Sequence, residues 1–319
     1  MLQKQLVWAV PSAMVLGLIW GSLLPSDWLK NMVIPLTFLM VYPMLVDLRL
    51  PLLFSGKNYK IQLAAQLINF LVIPFIALGI GRVFFPGQPQ LVLGLLLAAL
   101  LPTSGMTISW TGFAKGNLEA AVQMTVVGLV LGSLATPFYV KWLLGEAVEV
   151  PVLQVFRQIL IIVFLPLLLG QITRAWLIAQ RGQALYQTVL KPLFPPVSSL
   201  GVLGIVWVAM ALQAKFIVSQ PLVLVQMLIP LLLLYALNFL LSTLVGRSFF
   251  SRGDGIALVC GTVMRNLSIA LALAMTAFGK EQGSEIALII ALAYIVQVQA
   301  AAWYVKFSDR LFGPIPDVG

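Results

Sequence analysis

The amino-acid sequence predicts an all-α membrane protein whose ten transmembrane helices form two inverted five-helix repeats. Three observations lead to this prediction: an apolar composition, ten long apolar stretches and a set of short motifs that recur at one spacing. Of the 319 residues, 61% are hydrophobic and 9% are charged, whereas ordinary globular domains carry about 25% charged residues. A soluble domain cannot bury so much apolar surface. We therefore expect one transmembrane domain over residues 1–319.

Each apolar stretch is long enough to cross a bilayer, which takes about 20 apolar residues in a helix. The ten stretches cover roughly residues 5–24, 31–48, 61–84, 91–114, 118–143, 152–178, 192–214, 221–245, 255–279 and 284–305. The loops between them are short and leave no room for a soluble domain. Unbroken apolar runs of this length exclude a transmembrane β-barrel, whose strands alternate and cover about 10 residues.

The basic residues predict how the chain is oriented in the membrane. Cytoplasmic loops of membrane proteins carry an excess of Lys and Arg. If the amino terminus lies inside, twelve of the 19 Lys and Arg residues fall on the inner side, among them Arg49 and Lys57, and six fall on the outer side. We expect a multi-pass protein of the inner (plasma) membrane with both termini in the cytoplasm. Because these loops explain the net charge of +9, no nucleic-acid partner is predicted.

The scarcity of reactive side chains limits the chemistry that this protein can perform. The sequence has one cysteine, Cys260, and no histidine. An intrachain disulfide cannot form, and the usual proton shuttle and most transition-metal ligands are missing. We therefore predict no cofactor and no metal site. We also do not expect an enzyme, because intramembrane hydrolysis needs a nucleophile with a base, or a set of metal ligands.

Short motifs recur at one spacing along the chain. Residues 81–85 (GRVFF) end the third apolar stretch, and residues 246–250 (GRSFF) end the eighth, 165 residues later. Residues 139–141 (YVK) end the fifth stretch and recur at 304–306, again 165 residues later, at the end of the tenth. Two independent matches at the same spacing indicate an internal repeat.

Each repeat contains five helices, and this odd number determines its orientation. Repeat one covers about residues 1–145, and repeat two covers about residues 150–310. The second repeat must enter the membrane from the side opposite to the first. Inverted repeats are the common plan of secondary transporters, which place their substrate at interrupted helices near the membrane midplane.

The fourth and ninth stretches are interrupted in the way that this plan requires. In the fourth, Pro102 removes a backbone donor and Gly105 loosens the helix, and in the ninth, Arg265 and Asn266 stand in an apolar run. Helix ends inside a membrane leave N–H and C=O groups that can face an anion or a cation. The candidate substrate-binding residues are Thr103, Ser104, Thr107, Ser109, Arg265, Asn266 and Ser268. The alternative is a proline kink lined by small packing residues.

Arg265 is the strongest single indication of function. A charge at the bilayer centre is costly, so its side chain must face a cavity, a cluster of carbonyls or an acid. No Asp or Glu lies well inside any of the ten stretches. An unpaired Arg favours an anionic substrate or takes the place of a bound cation. The alternative is a structural Arg bonded to exposed carbonyls.

Other polar residues inside the stretches have two interpretations. Asn69 and Asn238 line the same cavity, or they form hydrogen bonds between helices. Weaker candidates for the cavity are Gln123, Thr125, Gln297 and Gln299. The Trp and Tyr residues are expected mostly as anchors at the membrane interface.

These motifs resemble the bile acid:sodium symporter superfamily, which includes the arsenite permeases of arsenical resistance. The resemblance covers nearly the whole chain and is carried by residues 40–44 (MVYPM), 69–74 (NFLVIP), 101–110 (LPTSGMTISW), 113–117 (FAKGN) and 264–266 (MRN). The first three are most similar to the arsenite-permease branch. The resemblance implies broken fourth and ninth helices that cross at the midplane, and a core of helices three, four, five, eight, nine and ten against a panel of the other four. It also implies transport by alternating access.

The resemblance further implies a cation site, and some positions depart from the family pattern. The remaining oxygen ligands for a cation are Asn69, Thr107, Thr125 and Thr262. Thr103 stands where arsenite permeases have a cysteine, and Ser268 stands where they have a glutamate. Sodium-coupled members have a glutamate at the position of Gly261 and a glutamine at that of Arg265. An Arg beside the cation site would repel the ion.

Together, these observations predict a secondary active transporter of a small solute, with an anion or a metalloid oxyanion as the favoured substrate. The alternative in the same class is a sodium-coupled symporter of organic anions of the bile-acid type. A different class is a non-transporting membrane sensor. The expected partners are a small-molecule or ionic substrate and the lipid bilayer. Substrate identity, direction of transport and oligomeric state are not predicted.

Overall fold

The computed structural model describes residues 2–46, 58–145, 152–219, 222–278 and 280–314, and the regular elements in these ranges are helices. In chain order, the α-helices are α1 (Leu2–Leu23), α2 (Val33–Val46), α3 (Tyr59–Leu67), α4 (Ile73–Phe84), α5 (Pro89–Leu100), α6 (Gly105–Phe113), α7 (Leu118–Leu144), α8 (Val152–Ile159), α9 (Leu165–Leu185), α10 (Phe194–Leu212), α11 (Ala214–Ser219), α12 (Leu222–Phe249), α13 (Arg252–Val263), α14 (Leu267–Ala277) and α15 (Lys280–Phe312). The expected boundary between the repeats, near residues 146–149, and the basic residues Arg49 and Lys57 lie outside the described ranges.

The helices have the length and composition of a membrane protein. Among the described residues, five segments are long and apolar enough to cross a bilayer: Tyr59–Phe84, Leu118–Leu144, Val152–Leu212, Leu222–Phe249 and Gln282–Phe312. The shorter apolar helices are Trp8–Leu23, Val33–Val46, Pro89–Leu100 and Leu267–Ala277. The prediction of an all-helical membrane protein is therefore confirmed at this level.

The sixth and seventh apolar stretches are joined differently from the prediction. The sequence predicts a loop between residues 178 and 192, whereas helical structure continues through Val152–Leu212. Gly182 interrupts it, with φ 78° and ψ 156°, a backbone region essentially open to glycine alone. A π turn, Tyr186–Leu190, and a 3₁₀ turn, Lys191–Leu193, then lead into α10. The non-helical dihedral angles are confined to Gly182 within α9. Hydropathy averaged over a window of residues does not detect the effect of a single glycine.

A proline explains the irregular middle of the segment formed by α3 and α4. Pro74 has no N–H, so the carbonyl of Phe70, four residues earlier, lacks its helical partner. The chain forms a π turn at Ile68–Val72. The Tyr139 hydroxyl on α7 donates to the Phe70 carbonyl at 2.8 Å, which satisfies the group that the proline leaves unpaired.

The tyrosines of the repeated YVK motif make comparable contacts in the two halves of the chain. Tyr139 joins α7 to the π turn between α3 and α4. Tyr304 on α15 joins α12, because its hydroxyl bonds the Thr243 hydroxyl and its ring stacks on Phe239 at 4.7 Å between centroids. Each tyrosine thus joins the helix that carries it to an earlier segment, through a backbone carbonyl for Tyr139 and through side chains for Tyr304.

The helices pack in two groups. In the first, α1 and α2 both pack against α10, and α2 also packs against α9. In the second, α12 packs on α13, α4 packs on α5, and α15 packs on α5, α12 and α14. The contact between α2 and α10 is close because Gly201 has no side chain: a Cβ there would lie 2.5 Å from the Met40 nitrogen. The first group contains the helices that the resemblance assigns to a panel.

Polar contacts join the start of α7 to two helices of the second group, α13 and α15. Arg252, the first residue of α13, donates to the Gly313 carbonyl at 2.9 Å and to the Asp309 carboxylate at the end of α15. Asn117, the N-cap of α7, donates to Asp254 at 2.7 Å. The start of α7, the start of α13 and the end of α15 are thus joined.

Candidate substrate site at the paired helix breaks

Both interruptions expected from the sequence are present, and their backbones pair with each other. Short non-helical segments separate α5 from α6 and α13 from α14. Pro102 and Arg265 form an isolated antiparallel bridge. The Asn266 N–H donates to the Leu101 carbonyl at 2.7 Å. Four helix ends therefore meet at one place, which we call the paired breaks (residues 101–104 and 264–266).

Local capping explains where the two second half-helices begin. Ser104 is the N-cap of α6: its hydroxyl accepts the Met106 N–H at 3.2 Å, and its own N–H donates to Thr107 Oγ1 at 3.2 Å. Asn266 is the N-cap of α14, and its Oδ1 accepts the Ile269 N–H at 3.2 Å. Such caps stabilise a helix start by about 1 kcal/mol each. Two positive helix ends consequently lie at the paired breaks.

Arg265 is buried, and the two terminal nitrogens of its guanidinium have no hydrogen-bond partner within the described residues. Arg265 is 2% exposed, and its Nη1 and Nη2 atoms make no hydrogen bond. The Asn266 Nδ2 atom is also buried without an acceptor. All three atoms are hydrogen-bond donors. The paired breaks therefore offer donors and positive charge, a combination that suits an oxyanion or a carboxylate.

Gln297 on α15 holds the backbone of Arg265 in place. Its Oε1 accepts the Arg265 N–H at 2.8 Å, and its Nε2 donates to the Arg265 carbonyl at 3.2 Å. Tyr235 on α12 donates its hydroxyl to the same Oε1 at 2.9 Å. With the bridge to Pro102, two separate parts of the chain hold the main chain of Arg265, and Tyr235 from a third part holds Gln297. The guanidinium is thus left unbonded while its point of attachment is held.

Asn69 and Asn238 form hydrogen bonds between helices, which was one of the two interpretations of the sequence. Asn69 Nδ2 donates to the Gly261 carbonyl at 3.1 Å, and Asn238 Nδ2 donates to the Thr262 carbonyl at 2.9 Å. Both carbonyls lie in the last turn of α13, where helical donors are missing. The two asparagines therefore satisfy the end of α13 from opposite halves of the chain.

The hydroxyls of the expected cation site already take part in hydrogen bonds within the protein. Thr107 accepts the Ser104 N–H, Thr125 donates to a carbonyl of its own helix at 2.8 Å, and Thr262 lies 2.6 Å from the Ser242 hydroxyl. Of the four expected ligands, Asn69 alone has a buried oxygen without a hydrogen-bond partner. These contacts give each threonine a structural role, and the cation site stays a prediction.

Three further candidates lie at or beside the breaks with their side chains bonded elsewhere. Thr103 has φ 64°, uncommon and strained for a β-branched residue, and its hydroxyl packs so closely on α7 that a Cβ added at Gly128 would overlap it. Ser109 donates to the Gly105 carbonyl at 3.3 Å. Ser268 bonds the Tyr294 hydroxyl. The residues that the breaks bring together are thus Ser104, Thr107, Arg265 and Asn266.

Two tyrosines near this site were not predicted. Tyr235 and Tyr294 are 4% and 2% exposed, so they are not interface anchors as expected for most tyrosines. Both use the hydroxyl as a hydrogen-bonding group inside the helical bundle. The one signal in the sequence is position, because Tyr235 lies three residues before Asn238 in the middle of an apolar run and shares its helix face.

No group of three or more His, Cys, Asp or Glu that could hold a metal ion occurs in the described part of the chain.

A cavity of about 940 Å³ lies where α1 and α10 end and α15 begins, with Asp27, Gln213 and Lys215 among its lining residues. No residue of the paired breaks lines it. Nothing in the apolar pattern of these helices predicts this cavity.

Apolar helices with two paired interruptions, and unbonded donors buried between them, are the features of a membrane transport protein. The chain belongs to the Sodium Bile acid symporter family, whose sequence model matches residues 34–220. The resemblance deduced from the motifs is therefore confirmed. Members of this family are membrane transporters, and this protein is accordingly a multi-pass membrane transporter.

Relatives from both branches of the family are similar to this chain. The arsenical-resistance protein Acr3 of Alkaliphilus metalliredigens is 26% identical over 98% of this chain and 93% of its own length. Acr3 of Corynebacterium glutamicum is 25% identical over 75% of this chain and 68% of its own. The probable sodium/metabolite cotransporter BASS4 of Arabidopsis thaliana is 28% identical over 42% of this chain and 31% of its own.

Proposed function

We propose that this protein is a secondary active transporter of a small anion or metalloid oxyanion, which binds at the paired breaks and crosses the membrane by alternating access. The proposal includes ten transmembrane helices in two inverted repeats within one domain, in the plasma membrane with both termini cytoplasmic. The repeated motifs and the contacts of Tyr139 and Tyr304 support the repeat.

The observation that carries the substrate class is the unbonded guanidinium of Arg265. A buried charge without a partner destabilises a protein by several kcal/mol, so the site gains most from a ligand that brings negative charge. Nη1 and Nη2 can donate to two oxygens of one oxyanion or carboxylate. Asn266 Nδ2 and the capped starts of α6 and α14 add donors and positive dipole ends beside it.

The packing around the two second half-helices is unequal, which supports alternating access. Both helices pack against α15, but α14 also packs against α2, α8 and α10, whereas α6 packs mainly against α7 and α13. Gly105, the first residue of α6, is exposed, and no atom lies within 4 Å of the place its Cβ would take. If the amino terminus is inside, α6 lies in the cytoplasmic half. The unequal packing then supports a state that is closed on the outer side, in which Arg265 and Asn266 themselves are buried.

Sodium coupling has less support than an uncoupled or differently coupled carrier. A bound cation would lie near the positive charge of Arg265, and the expected threonine ligands are used in structural hydrogen bonds. The names of relatives such as BASS4 make sodium dependence worth testing. The names of the two Acr3 relatives justify testing arsenic compounds.

Ligand binding and uptake by the purified protein in liposomes would test this function. The solutes are arsenite, arsenate, pyruvate and taurocholate, each in sodium and in choline buffer. We expect an anion to bind and to be taken up in both buffers. Arg265→Gln should weaken its binding on the order of 10- to 100-fold, since charged hydrogen bonds contribute about 1.5–3 kcal/mol. Arg181→Gln is the matched control, because Arg181 is exposed.

Each contrary result has a defined meaning. If Arg265→Gln binds and transports the same solute as well as the unchanged protein, the guanidinium does not bind the substrate and the anion proposal is wrong. Uptake that requires sodium would favour the symporter. Binding without uptake, even into vesicles preloaded with the same solute, would favour a membrane sensor.

A further inference from the structure

We propose that this transporter works as an anion exchanger, because the unpaired charge of Arg265 hinders the return of the empty carrier. The inference rests on the function proposed above and adds the mode of transport. It depends on a comparison between two closed states of the protein, one with an anion at the paired breaks and one without.

The closed state of the empty carrier is the unfavourable one. During alternating access, the binding site passes through a state in which water from neither side reaches it. Arg265 is 2% exposed, and Nη1 and Nη2 have no partner among the described residues. Taking a guanidinium fully out of water without a counter-charge is costly. The step that returns the empty site across the membrane should therefore be slow.

A bound anion removes this barrier. Its negative charge pairs with the guanidinium, and its oxygens accept the hydrogen bonds that Nη1, Nη2 and Asn266 Nδ2 cannot make within the protein. The loaded site can then close without an isolated charge. Because both directions of movement are faster with an anion bound, one anion enters as another leaves.

The neighbours that hold Arg265 cannot replace the anion. The main chain of Arg265 contacts Gln297 and Pro102, and Gln297 is bonded by Tyr235. All three side chains are uncharged at neutral pH. The ion pair between Arg252 and Asp309 joins the start of α13 to the end of α15. Both residues are distant in sequence from residues 264–266 of the paired breaks. A bound sodium ion would add charge of the same sign as the guanidinium. The described residues that bond or bridge to Arg265 thus bring no negative charge, which a substrate anion would supply.

Uptake by liposomes with and without internal anion measures the difference directly. The protein is reconstituted into vesicles that are either empty or preloaded with unlabelled pyruvate, arsenate or taurocholate, and uptake of the same labelled anion is followed. Potassium and valinomycin clamp the membrane potential, so that charge movement does not limit net uptake. We expect initial uptake into preloaded vesicles to be at least tenfold faster than into empty ones.

Two variants connect the effect to Arg265. Arg265→Gln removes the charge, so the ratio of preloaded to empty uptake should fall towards one even if affinity drops. Gln297→Glu keeps Arg265 and places a carboxylate against its main chain, which should also lower the ratio. Arg181→Gln, at an exposed arginine, is the control and should keep the ratio of the unchanged protein.

The failure of this inference can be told apart from the failure of the proposed function. Equal uptake by preloaded and empty vesicles at clamped potential would overturn exchange and leave anion transport intact. A high ratio that persists in Arg265→Gln would also overturn it, because the charge would then not be the cause. If none of the three anions enters either kind of vesicle, the proposed function is itself wrong.

Discussion

Replacing Gln297 with leucine tests whether the main-chain contacts of Arg265 build the site. The substitution keeps a side chain of similar length and removes both hydrogen bonds to Arg265, together with the acceptor of the Tyr235 hydroxyl. Three buried polar groups lose a partner. Each such loss costs about 1–3 kcal/mol. Because the losses are neighbours and not additive, we expect a destabilisation of about 3 kcal/mol, near the lower end of the range that the three losses would give together.

The measurement combines stability with ligand affinity. Thermal unfolding of the purified Gln297→Leu protein in detergent should occur several degrees below that of the unchanged protein. Its affinity for the anion found in uptake assays should fall at least tenfold, because the guanidinium is no longer held at one point. Gln299→Leu makes the same chemical change on another face of α15 and serves as the control.

A result in which Gln297→Leu and Gln299→Leu have the same melting temperature and the same affinity would refute this reasoning. Gln297→Glu separates the two hydrogen bonds to Arg265. The carboxylate can still accept from the Arg265 N–H and from Tyr235, but it cannot donate to the Arg265 carbonyl. Its melting temperature should lie between those of the leucine variant and the unchanged protein.

Two more substitutions test the packing of the helices. Gly201→Val places a side chain against the backbone of α2, where even a Cβ would be 2.5 Å from the Met40 nitrogen, and should destabilise the protein by about 3 kcal/mol or prevent folding. The control Gly79→Val, at a site where nothing lies within 4 Å of the added Cβ, should fold normally. Equal yields of folded protein for the two variants would contradict the close packing of α2 on α10. Tyr139→Phe leaves the Phe70 carbonyl unbonded and should lower stability by about 1–2 kcal/mol. Faster hydrogen exchange around the π turn would accompany it, and Tyr59→Phe, at an exposed tyrosine, should behave like the unchanged protein.

The parts of this fold that depend on composition and on single disruptive residues can be predicted from the sequence. An apolar chain of this kind needs lipid, and a proline or a charge in an apolar run must interrupt a helix or face a cavity. The positions of Pro102 and Arg265 in the chain therefore predict the two breaks. The recurrence of the GRVFF and YVK motifs is detectable because they contain Arg and Tyr, which are rare in these helices.

The contacts made across the bundle cannot be predicted in the same way. Gln297 is 32 residues from Arg265, and nothing in an apolar helix indicates which of its polar side chains faces a distant break. Thr103 was expected to line the site, but its positive φ brings its hydroxyl against α7. The rotation of one residue at a break depends on tertiary packing, and hydropathy carries no information about it.

The hydrogen bond between Asn266 and Leu101 and the bridge between Pro102 and Arg265 have a consequence for inhibition. Because the two breaks are bonded to each other, a shift of one would move the other with it. If the substrate binds at the breaks as proposed, a blocker of that site should have one intrinsic affinity from both faces of the membrane. Its apparent inhibition constants from the two faces should then differ only by the populations of the states open to each side.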